Sequence, residues 1–124
     1  MPRRIRSIVA LVCLSLAALL AAASAMAAKA PVAHSARTCS PPKYPGSGYF
    51  TRLSVTGTSC STGKKVAIAY YHCRLKHGKA GRCTSRVLGY SCKERRQSIP
   101  TEIDATVTCK RGHRKVVHSY QQNL

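Results

Sequence analysis

Six cysteines, Cys39, Cys60, Cys73, Cys83, Cys92 and Cys109, lie downstream of an N-terminal export signal, and this constrains the fold more than any other feature of the chain. In an exporting context thiols oxidise, and an even number leaves none over, so three disulfides are expected. A domain of about 100 residues has a marginal core, and each cross-link restricts its unfolded chain by on the order of 2–4 kcal/mol. The cysteines therefore read as staples rather than as nucleophiles or metal ligands.

The signal itself occupies residues 1–27. Arg3, Arg4 and Arg6 precede an apolar run over 8–23, followed by small residues. That run is shorter than the roughly 20 residues a membrane span needs, so it reads as a cleaved secretory signal and the mature chain as extracellular, without a transmembrane segment. Ala23-Ser24-Ala25 and Ala25-Met26-Ala27 both suit signal peptidase; cleavage is expected after Ala27, with Ala25 as the competing site. Cys13 and the three arginines leave with the signal, which takes the formal charge from +18 to +15.

Residues 28–47 are rich in Ala, Pro and Ser and read as a flexible leader held only at Cys39. A single folded domain is expected over 48–120, followed by a polar tail over 121–124. Within it, 49–56 alternates, with Tyr49, Thr51, Leu53 and Val55 on one face, and Gly57 ends the strand. Thr58 or Ser59 can cap a helix over 60–77, with Gly78 at its C-terminal stop. Gly63, Val66, Ala67, Tyr70 and Cys73 share one helical face, and Gly63 marks a close approach to a sheet. A second strand is expected over 83–92, with Arg86, Leu88, Tyr90 and Cys92 on one side. The polar stretch 93–100 reads as a loop. Residues 102–110 alternate Ile103, Ala105, Val107 and Cys109 against Glu102, Asp104, Thr106 and Thr108; Arg111 and Gly112 turn the chain, and 115–120 returns.

The resulting order β-α-β-β-β is an α+β fold, one helix packed on a mostly antiparallel four-stranded sheet. Following chain direction, Cys60 and Cys92 fall at one pole and the other four cysteines at the opposite pole, which favours a Cys60–Cys92 bridge. Two arrangements stay open for the rest: Cys73–Cys109 with Cys39–Cys83, or Cys73–Cys83 with Cys39–Cys109.

The stretch from Ser59 through Arg74, with the later Gly89-Tyr90-Ser91-Cys92 and Val107-Thr108-Cys109 before Gly112, resembles small secreted cysteine-rich proteins of unknown function from high-GC Gram-positive bacteria. The resemblance covers roughly 55–118. It implies the compartment and a stapled fold, and no catalytic residue.

Composition leaves little room for catalysis. Downstream of the signal there are three carboxylates: Glu94 reads as a solvated charge, and Glu102 and Asp104 as charge-paired surface groups. His77 and His113 fall at one pole of this arrangement and could serve as an acid and base on a phosphodiester, but two histidines in turns are a weak basis for that. His72 and His77 are misplaced around a helix, His113 and His118 fall on opposite strand faces, His34 lies in the leader, and no Cys-x-x-Cys occurs, so neither metal nor cofactor is expected. A binding protein rather than an enzyme is expected. Lys76, Lys79, Arg82, Arg86, Lys110, Arg111, Arg114 and Lys115 all map to the four-cysteine pole, a basic surface suited to anionic polymers of cell walls or to membrane surfaces. With no Trp, base-stacking recognition of nucleic acid is disfavoured. The other reading is inhibition of secreted trypsin-like proteases, with Arg95 or Arg96 presented by the 93–100 loop. Oligomeric state is not legible.

Overall fold

The computed structural model describes residues 28–29 and 34–124. Residues 1–27, expected to be an export signal with two candidate cleavage sites, lie outside the described residues. Five strands and one helix follow in the order β1 (Arg37–Cys39), β2 (Gly48–Thr56), α1 (Cys60–Leu75), β3 (Ser91–Ile99), β4 (Glu102–Arg111) and β5 (Arg114–Asn123). The strands form one antiparallel sheet in the order β1-β2-β5-β4-β3. No helix among the described residues is long and apolar enough to cross a membrane.

The helix starts where a hydroxyl can satisfy its free amides. Ser59 has extended backbone and its Oγ accepts from the Thr62 N–H at 3.1 Å. Gly63 then lets α1 settle onto β2, since a Cβ there would stand 2.6 Å from Val55 Cγ1. Val66, Ala67, Tyr70 and Cys73 continue the same buried face.

Strand alternation and register arrange the sheet's inner face into rows. Cys92, Cys109, Val116 and Val55 form one; Glu94, Val107, His118 and Leu53 the next; then Arg96, Ala105, Tyr120 and Phe50. A register shift between Phe50 and Arg52 turns Phe50, not Tyr49 or Thr51, toward the core; Tyr49 is exposed. The helix lies on this inner face, so among the described residues no helix lies over the outer face.

Several expectations are corrected. The sheet has five strands, because Arg37–Cys39 pairs with β2. The fold thus begins inside the supposed leader, where Cys39 and Tyr44 are buried, and it runs past Tyr120 to include buried Gln122. Residues 83–90 are not a strand. They return from the end of the helix irregularly and close a two-residue turn, Leu88-Gly89, in which Val87 and Tyr90 exchange both backbone hydrogen bonds. Leu88 has φ 50°, a left-handed conformation that costs a leucine on the order of 1 kcal/mol. The stretch read as the loop 93–100 is most of β3.

That one strand inverts everything after it. With β3 inserted, β4 and β5 run opposite to the expected directions, and the β4–β5 turn lies beside the end of β2, where Lys115 pairs with Thr56. The disulfides follow: Cys39–Cys60, Cys73–Cys83 and Cys92–Cys109. The Cys60–Cys92 bridge is not formed, because Cys92 stands directly across from Cys109 with Cα atoms 4.0 Å apart. Of the two open arrangements for the rest, only the Cys73–Cys83 pairing is present. Four half-cystines lie at the helix N-terminal end and two at its C-terminal end. Loop closure assigns about 3 kcal/mol to each bridge.

Candidate functional site

Glu94 lies on the inner face of β3, its side chain only 4% exposed. Its Oε1 accepts from Arg96 Nε at 2.6 Å and from Arg82 Nη1 at 3.4 Å, and its Oε2 accepts from the hydroxyls of Tyr70 and Tyr120 at 2.8 and 2.9 Å. Four donors on one buried carboxylate, drawn from α1, β3, β5 and the loop after the helix, tie those elements together. The Tyr70 and Tyr120 hydroxyls are pushed far above the usual phenol range, first by burial and then by the Glu94 charge. Arg96, itself buried, donates from Nη1 and Nη2 to the carbonyls of Ala80 and Gly81 at 2.8 Å.

Beside it, Arg74 is completely buried at the last turn of α1. Its guanidinium donates to the Lys79 carbonyl at 3.1 Å, to the Tyr44 hydroxyl at 3.1 Å and to Gln122 Oε1, and lies 4.8 Å from the centre of the Tyr120 ring. Gln122 Nε2 donates to the same Lys79 carbonyl at 2.8 Å. The two arginines thereby hold the 79–81 loop, and Cys73–Cys83 pins it covalently. His118 sits between Phe50 and Tyr70, edge-on to both rings, with neither ring nitrogen hydrogen-bonded. Burial pushes it down to about 4, against the opposing pull of Glu94, so it is neutral at physiological pH.

This cluster has the residue types of an acid–base site but no room for a substrate. The space bounded by Tyr44, Phe50, Tyr70, Arg74, His118 and Tyr120 cannot hold even a water molecule. Its chemistry is structural: one carboxylate and two arginines replace the apolar filling that the sequence does not supply at this end of the sheet.

The outer face is different. Register and alternation put Arg52, Lys93, Arg95, Lys110 and Lys115 on it, in its half nearer the β4–β5 turn, while Glu102 and Asp104 occupy the opposite half. Thr106 and Ser119 share a hydrogen bond at 2.9 Å between Arg95 and Arg52. A shallow, open depression of about 700 Å³ is lined here by Thr51, Arg95, Gln97, Asp104, Thr106 and Ser119. Both ion pairs among the described residues fall on Glu94.

The eight cations expected to converge do not form one cluster. Lys110, Arg111, Arg114 and Lys115 gather around the β4–β5 turn, at the helix N-terminal end. Lys76, Lys79 and Arg82 lie at the other end, just after the helix, and Arg86 is exposed in the segment joining the two. His77 and His113 are likewise at opposite ends: His77 meets Thr84 Oγ1 at 3.3 Å, and His113 stacks on His34. Arg95 and Arg96 are not side by side in a loop. Both lie in β3, Arg95 exposed on the outer face and Arg96 locked inside, so Arg96 is not presented to a partner and neither is carried by a loop. Glu94 is a buried hub rather than a solvated charge. What sequence reasoning missed was Arg74, Glu94, Arg96 and Gln122; the available signal was Glu94 and Arg96 two residues apart, opposite charges on one face of an extended chain. Comparison with known proteins finds no matching family model, no similar curated protein and no similar solved structure.

Proposed function

We propose that this chain is an exported, disulfide-stabilised cationic binding domain that holds an anionic polymer, of the phosphate- or carboxylate-bearing kind found in cell walls and at cell surfaces, against the outer face of its sheet. The observation carrying this reading is the group of five outer-face cations, Arg52, Lys93, Arg95, Lys110 and Lys115, none of which makes an ion pair. Of the three carboxylates, Glu94 is held inside and Glu102 stands at the far end of the sheet, while Asp104 borders the group one row from Arg95; five outer-face cations therefore face one nearby carboxylate, and the basic half keeps a positive excess. Lys110 and Lys115 connect this surface to Arg111 and Arg114 at the turn. A rigid strand array carrying cations at fixed spacing attracts a polyanion by releasing its counterions, without reading any sequence in it.

Binding to isolated cell wall and to a heparin-like resin at two salt concentrations tests this. Retention is expected at low salt and steep loss at high salt, with Lys93→Glu plus Arg95→Glu lowering the eluting salt far more than Lys76→Glu plus Lys79→Glu. No retention at low salt, or equal effects of the two pairs, would overturn the reading.

A further inference from the structure

Leu88 stands where the turn it belongs to disfavours it. Leu88 and Gly89 have φ of 50° and 80°, and two-residue turns of this kind prefer Asn or Gly at the first position. Burial does not compensate, since Leu88 is 55% exposed. Its side chain instead borders an open apolar hollow with Ile68 and Ala69, edged by Lys64, Lys65 and His72 on the outer side of α1. Arg111 Nη1 donates to the Leu88 carbonyl at 3.3 Å, which brings a third cation to the tip. No carboxylate lines the hollow.

From this we infer a second interaction surface, which shares only Arg111 with the polymer surface: the Leu88 tip, with Lys64, Lys65 and Arg111 around it, docks on an anionic lipid bilayer. The leucine and Ile68 enter the boundary between headgroups and acyl chains, and the cations meet lipid phosphates. An exposed apolar residue ringed by flexible cations is the arrangement that interfacial binding uses, and each cation near an anionic surface adds to it. Charge argues against a second copy as the occupant, because a two-fold contact here would set Lys64 and Lys65 of both copies against each other in a strongly cationic protein. A soluble polyanion would have no use for the leucine.

The chain contains no Trp, so Leu88→Trp places a single tryptophan, excited selectively over the tyrosines, at the tip. With oxidised protein recovered after export, phosphatidylglycerol vesicles are expected to shift its emission to the blue and phosphatidylcholine vesicles to leave it unchanged. Leu88→Asn suits the left-handed backbone and keeps the fold, yet should lose about ten-fold in affinity for phosphatidylglycerol vesicles. Its retention on a heparin-like resin should not change, which separates this surface from the sheet face. Lys64→Gln with Lys65→Gln should weaken vesicle binding comparably. Undiminished vesicle binding by Leu88→Asn, absence of the emission shift, or self-association in sedimentation that Leu88→Asn abolishes would each overturn the inference.

Discussion

Arg95 and Arg96 are neighbours of identical chemistry with opposite fates. Arg96 points to the helix side of β3, where Glu94 and the Ala80 and Gly81 carbonyls hold its guanidinium; Arg95 points to the open side and makes no ion pair. The same division runs along the strand, with Cys92, Glu94 and Arg96 inward and Lys93, Arg95 and Gln97 outward. The comparison teaches that charge does two separate jobs in this domain. On the inner face it is paired and replaces core, and on the outer face the cations make no ion pair.

The inner face should be the costly one to disturb. Glu94→Ala removes the acceptor of four donors and leaves Arg96 buried without its counter-charge, which is expected to cost about 3–5 kcal/mol, read as a large fall in Tm. Lys93→Ala, one position away, should stay within about 0.5 kcal/mol. Equal effects would erase the distinction between the faces.

Acid should act through the inner face as well. Unfolded, His118 takes up a proton near its ordinary pKa of 6.5; folded, it resists until about 4. The unfolded state therefore binds more protons between these values, so stability is full above pH 6.5 and falls as pH is lowered towards 4, by roughly 3 kcal/mol in all. Denaturant midpoints across this window should show the decline, and His118→Phe should flatten it.

The bridge Cys92–Cys109 joins β3 to β4 in the inner-face row next to that of Glu94. Replacing both cysteines by Ala should cost about 3 kcal/mol by loop closure, with connectivity checked by mapping the disulfide-linked peptides of the parent chain. The smallest effect is expected at the helix start, remote from both faces of β3: Ser59→Ala should cost about 1 kcal/mol in thermal unfolding.

Much of the fold could be read locally. The Ser59 cap, the close approach at Gly63, the buried face of α1, the alternation of β4 and the Gly112 turn each follow from rules acting over a few residues. β3 escaped because its inward positions are Glu94 and Arg96, so its hydropathy has the profile of a loop even though its geometry is that of a strand. No period-two apolar signal exists where a core is filled by an ion pair. The error then propagated by chain direction, moving the β4–β5 turn and its cations to the wrong end and joining Cys60 to Cys92. β1 was missed for another reason: three residues, Arg37, Thr38 and Cys39, are too few to show a pattern, and only pairing with β2 defines them. The candidate surface was legible as an excess of cations but not in its position, since that depends on which way each strand of the sheet runs.

The most direct test sets the two arginines against each other by measuring thermal unfolding and retention on a heparin-like resin for Arg95→Ala and Arg96→Ala. The account predicts that Arg96→Ala lowers stability by several kcal/mol, as breaking a buried pair does, whereas Arg95→Ala leaves Tm unchanged and elutes at lower salt. A stable Arg96→Ala protein, or an Arg95→Ala protein that loses stability and keeps its retention, would contradict it.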